Sequence, residues 1–320
     1  MAAYLLRRML IMPPILFGVS IITFIIINAK GSPLARFAFN PRIRPEDIER
    51  LERNYGLDKP VLERYWLWIS SLLRGDFGVS LINSREVTDL IFEVLPNTLR
   101  LAVVSLLVAL AIAIPLAIFA AAHRNSIADR AILTTAVAAS SLPTVWLGLL
   151  LIILFAVFFR EWGLPAAPVQ GVKDPRNPGG FLDLAEHMIL PVAALAIPQV
   201  AGWTLYIRST MIEILSQDYI RTARAGGVGE RRVRLTHGFR NGLLPLVTLA
   251  GFSLPELFGG ALITETVFSY PGMGLLTITA ITQNDYPVIM GTTIVFALLV
   301  MLGNLLADLM YPVVDPRLRG

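Results

Sequence analysis

Six long apolar stretches are set off by polar segments along the chain: Met9 to Ile27, Leu101 to Ala122, Ala131 to Phe159, Met188 to Ile207, Leu243 to Thr264 and Val288 to Tyr311. None contains a lysine or arginine. A helix crosses a hydrocarbon core of about 30 Å with about 20 residues, so each stretch is long enough to span a bilayer. Lipid offers no partner to an open backbone group, which predicts that all six are helical. The expected fold class is therefore all-α, a polytopic membrane protein with six transmembrane helices. The first stretch follows Arg7 and Arg8, as a signal peptide would. Its apolar run exceeds the roughly 7–15 residues of such segments and no convincing A-x-A site follows, so it is read as a retained span.

The polar segments divide the chain further. Residues 1–29 hold an N-terminal tail and the first span, and 30–97 form a long extracytoplasmic loop. Residues 98–313 form a five-helix core that includes a cytoplasmic loop at 208–242, and 314–320 are a tail. Lysine and arginine in short loops set orientation. Arg7 and Arg8, Arg124 and Arg130, the seven arginines from Arg208 to Arg240, and Arg317 and Arg319 fall in alternate segments. Both termini are expected to be cytoplasmic, in a bacterial or archaeal cytoplasmic membrane. Every span carries or abuts a proline (Pro13, Pro115, Pro143, Pro198, Pro255, Pro312). Kinked helices favour a cavity-forming assembly over a close-packed anchor.

Within the long loop, Pro45 opens a predicted helix with Glu46 and Asp47 at its positive end, Glu46–Arg50 and Glu49–Arg53 pairs, and Gly56 as its stop. Pro60 opens a second, with an apolar stripe of Leu62, Tyr65, Trp66, Ile69 and Leu73.

Composition agrees with a lipid setting. Residues of the hydrophobic set make up 55% before glycine is counted, charged residues 16%, and mean hydropathy is +0.66. Soluble domains hold about 45–50% apolar residues with glycine included and about 25% charged. A soluble globular enzyme, a disordered chain and a fibrous repeat are excluded. Net charge is +4, but the position of the arginines informs more than their sum, and no nucleic-acid partner is expected. There is no cysteine, which removes disulfides, thiolate metal sites and cysteine nucleophiles. His123, His187 and His237 are far apart, so no metal site is expected. H-E-x-x-H, G-x-S-x-G and G-x-x-x-x-G-K-[ST] are all absent, and the chain has no P-loop with which to hydrolyse ATP.

The loop at 208–242 is the most informative segment. Thr210 to Ala225 is rich in helix formers, Gly226, Gly227 and Gly229 break the run, and Glu230 to Phe239 begins a second helix with a Glu230–Arg234 pair. A short hairpin held by spans at both ends is able to transmit force to a soluble partner or to bind lipid headgroups. Residues alone leave these two roles open.

Here the sequence resembles a family. Asp218-Tyr219-Ile220-Arg221-Thr222-Ala223-Arg224-Ala225, Gly227, Glu230-Arg231-Arg232-Val233, His237, Arg240-Asn241 and Leu244-Pro245 look like the signature of permeases from ATP-binding-cassette importers. The nearest branch is the B-type subunit of dipeptide, oligopeptide and nickel importers. Tyr4 to Arg8, Gly56 to Pro60, Leu73 to Gly78, Leu95 to Leu99, Thr264 to Phe268, Pro271 to Gly274 and Asp315 to Arg319 fit the same branch, so the resemblance covers the whole chain. The sequence departs from it in places: Arg221 stands where the broader motif has an acid, and Gly226 where this branch more often has lysine.

The resemblance implies a type I importer permease fold (MetI-like). It also implies partners: a C-type second permease forming a heterodimeric pore, two cytoplasmic ATPase subunits, an extracytoplasmic substrate-binding protein, and membrane lipid around them. This chain would bind no cofactor, with ATP and Mg on the partner subunits. The coupling helix would centre on Asp218 to Gly227, so that Asp218, Tyr219, Arg221, Thr222, Ala223, Arg224, Ala225, Gly227, Glu230 and Arg231 meet the ATPase. Three acids in or at the ends of the spans are candidates in their own right. Glu256, beside Pro255 in mid-span, is a candidate for the translocation path, since a charge in lipid is functional by default, with a satisfied cavity acid as the alternative. Glu265 is expected to anchor the turn after the same span. Asn304 and Asp308, four residues apart, suit a helix–helix hydrogen bond. The alternative function is an ion-coupled secondary transporter acting alone, which would show internal repeats and several midplane acids. A membrane-embedded enzyme would need a catalytic cluster at one depth, and none is visible.

Overall fold

The computed structural model describes residues 2–32, 34, 44, 46, 50, 52–53, 56–174, 179–233, 236, 238, 253 and 259–314. Among these residues the regular elements are helical. They are α1 (Ala2–Ala29), α2 (Val61–Leu72), α3 (Val87–Ala122), α4 (Ile127–Ser140), α5 (Thr144–Ile152), α6 (Gly180–Leu215), α7 (Asp218–Ala225), α8 (Met273–Gln283) and α9 (Tyr286–Val314). Residues 259–267 are helical as well. Among the described residues five helical segments are long and apolar enough to cross a membrane: Leu6–Ala29, Val87–Ala122, Thr144–Glu161, Gly180–Leu215 and Tyr286–Leu309. Of the predicted span Leu243–Thr264, residues 243–252 and 254–258 lie outside the described residues, as do Pro45, Asp47 and Glu49 of the first loop helix.

The predicted span Ala131–Phe159 is not one helix. α4 ends at Ser140, where the hydroxyls of Ser140 and Ser141 both donate to the Val137 carbonyl at 3.0 and 2.8 Å. Pro143 then caps α5 in an extended conformation, with neither an amide donor nor room for a preceding helical turn. After α5 the ladder widens to a π-helix over Ile153–Phe158 before a last turn at Phe159–Glu161. The second span, in contrast, begins well before its apolar run. α3 starts at Val87, so the Leu95 to Leu99 motif lies inside the helix. At about 1.5 Å per residue its 36 residues reach about 54 Å, more than the lipid core requires.

Two compact units emerge from the fold: Asn97–Gly274 with Leu302–Gly320, and Ala2–Pro96 with Leu275–Met301. The core of the first unit is an alanine ladder. Ala109, Ala113, Ala117 and Ala121 recur every four residues on α3 and are buried with Ala196, Trp203, Ile207 and Met211 of α6. Small residues let two helix backbones approach closely where water supplies no driving force.

The second unit is organised around α1 and α2. Tyr65 is the buried centre of α2; its hydroxyl meets Ser20 Oγ at 2.8 Å, and its ring lies 5.3 Å edge-on from Phe24. The stripe expected on α2 is rotated. Tyr65, Trp68, Ile69 and Leu72 are buried or half-buried, whereas Leu62, Trp66 and Leu73 are exposed.

The alanine ladder generates a test. Ala113→Leu places three extra carbons where no space exists and is expected to destabilise the protein by about 1–3 kcal/mol in thermal unfolding of the detergent-purified chain. Leu107→Ala on the exposed face of the same helix is expected to stay within about 0.5 kcal/mol of wild type.

Candidate functional site

The loop after α6 forms a knuckle. α6 continues through Arg208 as far as Leu215, so the helix predicted over Thr210–Ala225 is interrupted rather than continuous. Ser216 Oγ donates back to the Glu213 carbonyl at 2.6 Å, and Gln217 is extended. A serine that bonds its own helix and a residue outside helical geometry turn the chain. α7 then starts with Asp218 at its positive end. The Thr222 hydroxyl donates to the Asp218 carbonyl at 3.1 Å, and Arg221 reaches the Asp218 carboxylate at 3.3 Å.

Glycines end the helix. Gly226 caps it, and Gly227 turns the chain at φ +78°, a conformation that side chains resist. Across this turn Arg224 Nε donates to Glu230 Oε1 at 2.7 Å. Glu230 is thus paired with Arg224; the expected partner Arg234 lies outside the described residues. A half-exposed pair of this kind adds little stability, but it fixes the angle of the turn.

The knuckle is anchored by apolar contacts. Ile220 and Val233 are fully buried, and a Cβ at Gly238 would stand 3.2 Å from both Met211 and Leu215. Outward lie Asp218, Tyr219, Arg221, Thr222, Arg224, Ala225, Gly227 and Glu230, with Ala223 half-buried between them. Arg231 belongs to the single turn Glu230–Arg232. The residues singled out in the loop therefore fall in one short segment, as a polar surface on an apolar root. Glu256 lies outside the described residues and is not part of this geometry.

Behind the knuckle sits a charged clasp. Arg208 Nε and Nη2 donate to Asp129 Oδ1 and Oδ2 at 2.6 and 2.7 Å. Asp129 Oδ2 also accepts from the Asn125 amide at 2.8 Å, and Ser126 Oγ caps the Asp129 amide at 3.1 Å. Asp129 is 1% exposed. The hydrogen-bonded Arg208 guanidinium holds its carboxyl below the ordinary value of 3.8, against the opposing effect of burial and with help from the Asn125 amide. The clasp ties the first turn of α4 to the helix that carries the knuckle.

Three further carboxylates are internal among the described residues: Glu265, Asp285 and Asp183, the last accepting from the Asp174 and Gly179 amides at 2.9 and 3.1 Å beside His187. Glu265 is fully buried, accepting from Thr98 Oγ1 and the Gly274 amide at 2.6 Å each, while the Met273 amide donates to Thr98 Oγ1 at 2.7 Å. This is the anchoring role expected of Glu265. Gly272 is obligatory there, because a Cβ would overlap the Glu265 carboxyl group. In the second unit Asp285 accepts from Ser80 Oγ at 2.5 Å and the Leu81 amide at 3.1 Å, closing the turn after Leu73 to Gly78. Asn304 and Asp308 are both half-buried on α9. Among the described residues no three His, Asp or Glu side chains gather as a metal site would. A cavity of about 510 Å³ lies between α3, α4 and α6, walled by alanine and branched aliphatic side chains, with Thr135 and Thr204 its polar members. It holds no ionisable group with which to do chemistry.

Comparison with known proteins decides what this arrangement belongs to. Residues 113–320 match the family described as binding-protein-dependent transport system inner membrane component, and residues 1–102 match its N-terminal companion. The oligopeptide transport system permease protein AppB of Bacillus subtilis is 40% identical over 319 residues, covering 99% of both chains. The chain belongs to this permease family. The dipeptide transport system permease protein DppB of Escherichia coli K12 is 36% identical over 341 residues, and the glutathione transport system permease protein GsiC of the same organism 35% over 319. Both cover 100% of this chain and 99% of their own. The permease is a multi-pass membrane protein and one component of a larger transport system.

One part of the site has only a partial local signal in the sequence: Ser126-x-x-Asp129 ahead of an apolar run is a capping-box pattern, but nothing local pairs Asp129 with Arg208. The clasp predicts a pH-dependent effect. Asp129→Asn leaves the half-buried Arg208 without a charge partner and is expected to cost about 1–3 kcal/mol at pH 7, read by thermal unfolding of the purified permease. Because the folded carboxyl is more acidic than the unfolded one, the advantage of wild type is complete above pH ~4. It shrinks as pH falls through the folded value.

Proposed function

We propose that this chain is a permease subunit of an ATP-driven importer, forming half of the translocation pore for peptides or a related small solute. The observation that carries this reading is similarity to permeases named for oligopeptide, dipeptide and glutathione transport over 99–100% of this chain and 99% of each relative. A C-type permease supplies the other half of the pore, and an extracytoplasmic binding protein delivers the solute. Two cytoplasmic ATPases hold ATP and Mg, since the chain has no phosphate-binding loop of its own. Both termini and the knuckle face the cytoplasm of a bacterial or archaeal cell, in keeping with arginine-rich alternate loops.

Mechanistically, α7 seats in a groove of an ATPase. Tyr219, Arg221, Thr222, Ala223, Arg224 and Ala225 meet it, Asp218 and Gly227 bound the helix, and Glu230 and Arg231 continue the surface. The buried Ile220 and the Asp129–Arg208 clasp link α7 to the spans, so that movement of the knuckle moves α6 and α4 together. ATP drives transport only by binding one arrangement of the assembly more tightly than the other. Glu256 is the proposed acid of the solute path, available to meet a cationic group of the solute.

Co-purification and coupling test the proposal. Affinity-purified chain is expected to carry two ATPase subunits and a second permease. In the reconstituted assembly, Gly227→Asp is expected to lower solute uptake per ATP hydrolysed by about ten-fold or more while the melting profile of the spans is kept, because the residue must hold a positive φ at the root of the docking surface. A chain that purifies alone and moves solute in liposomes without ATPases would refute it.

A further inference from the structure

A cleft of about 190 Å³ opens in the second unit between the last turns of α1, one face of α2, the turn after Phe77 and the first turn of α9. Phe24, Ile27, Phe77 and Met290 make most of its wall apolar. Two polar groups break that pattern. Arg64 Nε and Trp68 Nε1 both belong to lining residues, both are buried, and neither has a hydrogen-bond partner. They lie four residues apart on α2, and so on the same side of the helix, about 5–6 Å between Cβ atoms. The other donors nearby are engaged: the Tyr286 hydroxyl donates to the Gly31 carbonyl at 3.0 Å and Asn28 Nδ2 to the Phe24 carbonyl at 2.8 Å. The adjacent acid, Glu63, is bonded to Lys59 at 2.8 Å and does not serve Arg64.

Two buried N–H donors, one of them on a permanent cation, call for an anionic acceptor; left unmet they carry a desolvation cost. We infer that the cleft is a binding site for the phosphodiester of a phospholipid headgroup, with Arg64 Nε and Trp68 Nε1 donating to its phosphate oxygens. Depth supports this source of the anion. The cleft is built from the ends of two spans, where headgroups lie and where tryptophan, tyrosine and arginine concentrate. The apolar wall suits the glycerol and first methylenes of a lipid and would be wasted on a free ion. A lipid held there would cement α2 to the ends of α1 and α9.

The test uses the assembled permease purified in detergent, stripped of lipid and titrated with phosphatidylglycerol, with bound lipid counted by native mass spectrometry. Wild type and Arg74→Gln, an exposed charge outside the cleft, are expected to retain a tightly held lipid. Arg64→Gln is expected to weaken retention about ten-fold or more, as for loss of a charged hydrogen bond. Trp68→Phe keeps the aromatic volume, removes only the N–H, and is expected to weaken retention by itself, so the test survives if Arg64→Gln fails to assemble. Equal retention by wild type and Trp68→Phe, or displacement of the lipid by millimolar inorganic phosphate, would overturn the proposal.

Discussion

Hydrocarbon supplies no hydrogen-bond partner, and this constraint governs where the chain keeps its charge. Three of the internal carboxylates among the described residues are bound at helix ends: Asp129 to Arg208 and the Asn125 amide, Glu265 to Thr98 and the Gly274 amide, Asp285 to Ser80 and the Leu81 amide. Each joins segments far apart in sequence. Away from these polar knots close packing carries much of the helix association, as in the alanine ladder of α3 against α6.

The Asp129–Arg208 clasp fixes the helix that carries the knuckle. α6 is a single helix from Gly180 to Leu215, and α7 follows after only two residues. With Ile220 and Val233 fully buried and Gly238 against Met211 and Leu215 of α6, the segment has an apolar root and a polar outer face. In the proposed coupling role a buried root and a glycine-set angle matter, because compliance at the root would dissipate a displacement before it reached the spans.

Much of the architecture was legible in the sequence, for local reasons. Apolar runs without lysine or arginine marked the spans, Pro60 marked the start of α2, and Gly226 and Gly227 marked the end of α7. What escaped depended on partners remote in sequence or on competition within a turn. Asp129 and Arg208 are 79 residues apart, and no local pattern pairs them. The ends of α4 and α6 turn on serines bonding their own helices, which a tally of helix formers does not weigh. On α2 the periodicity found the apolar positions but not which of them are covered, because Trp66 and Leu73 are free to face lipid as well as protein. Glu256 and the expected span around it lie outside the described residues.

The most direct test of the central claim exploits the absence of native cysteine. A single Thr222→Cys substitution in the full chain, treated in intact membranes with a short thiol-reactive photo-crosslinker, reports what α7 touches in the working assembly. The account predicts a covalent adduct with a cytoplasmic ATPase subunit, its yield changing when a non-hydrolysable ATP analogue is added. Adducts with lipid alone, or labelling of the cysteine by a membrane-impermeant thiol reagent applied from outside the cell, would contradict it.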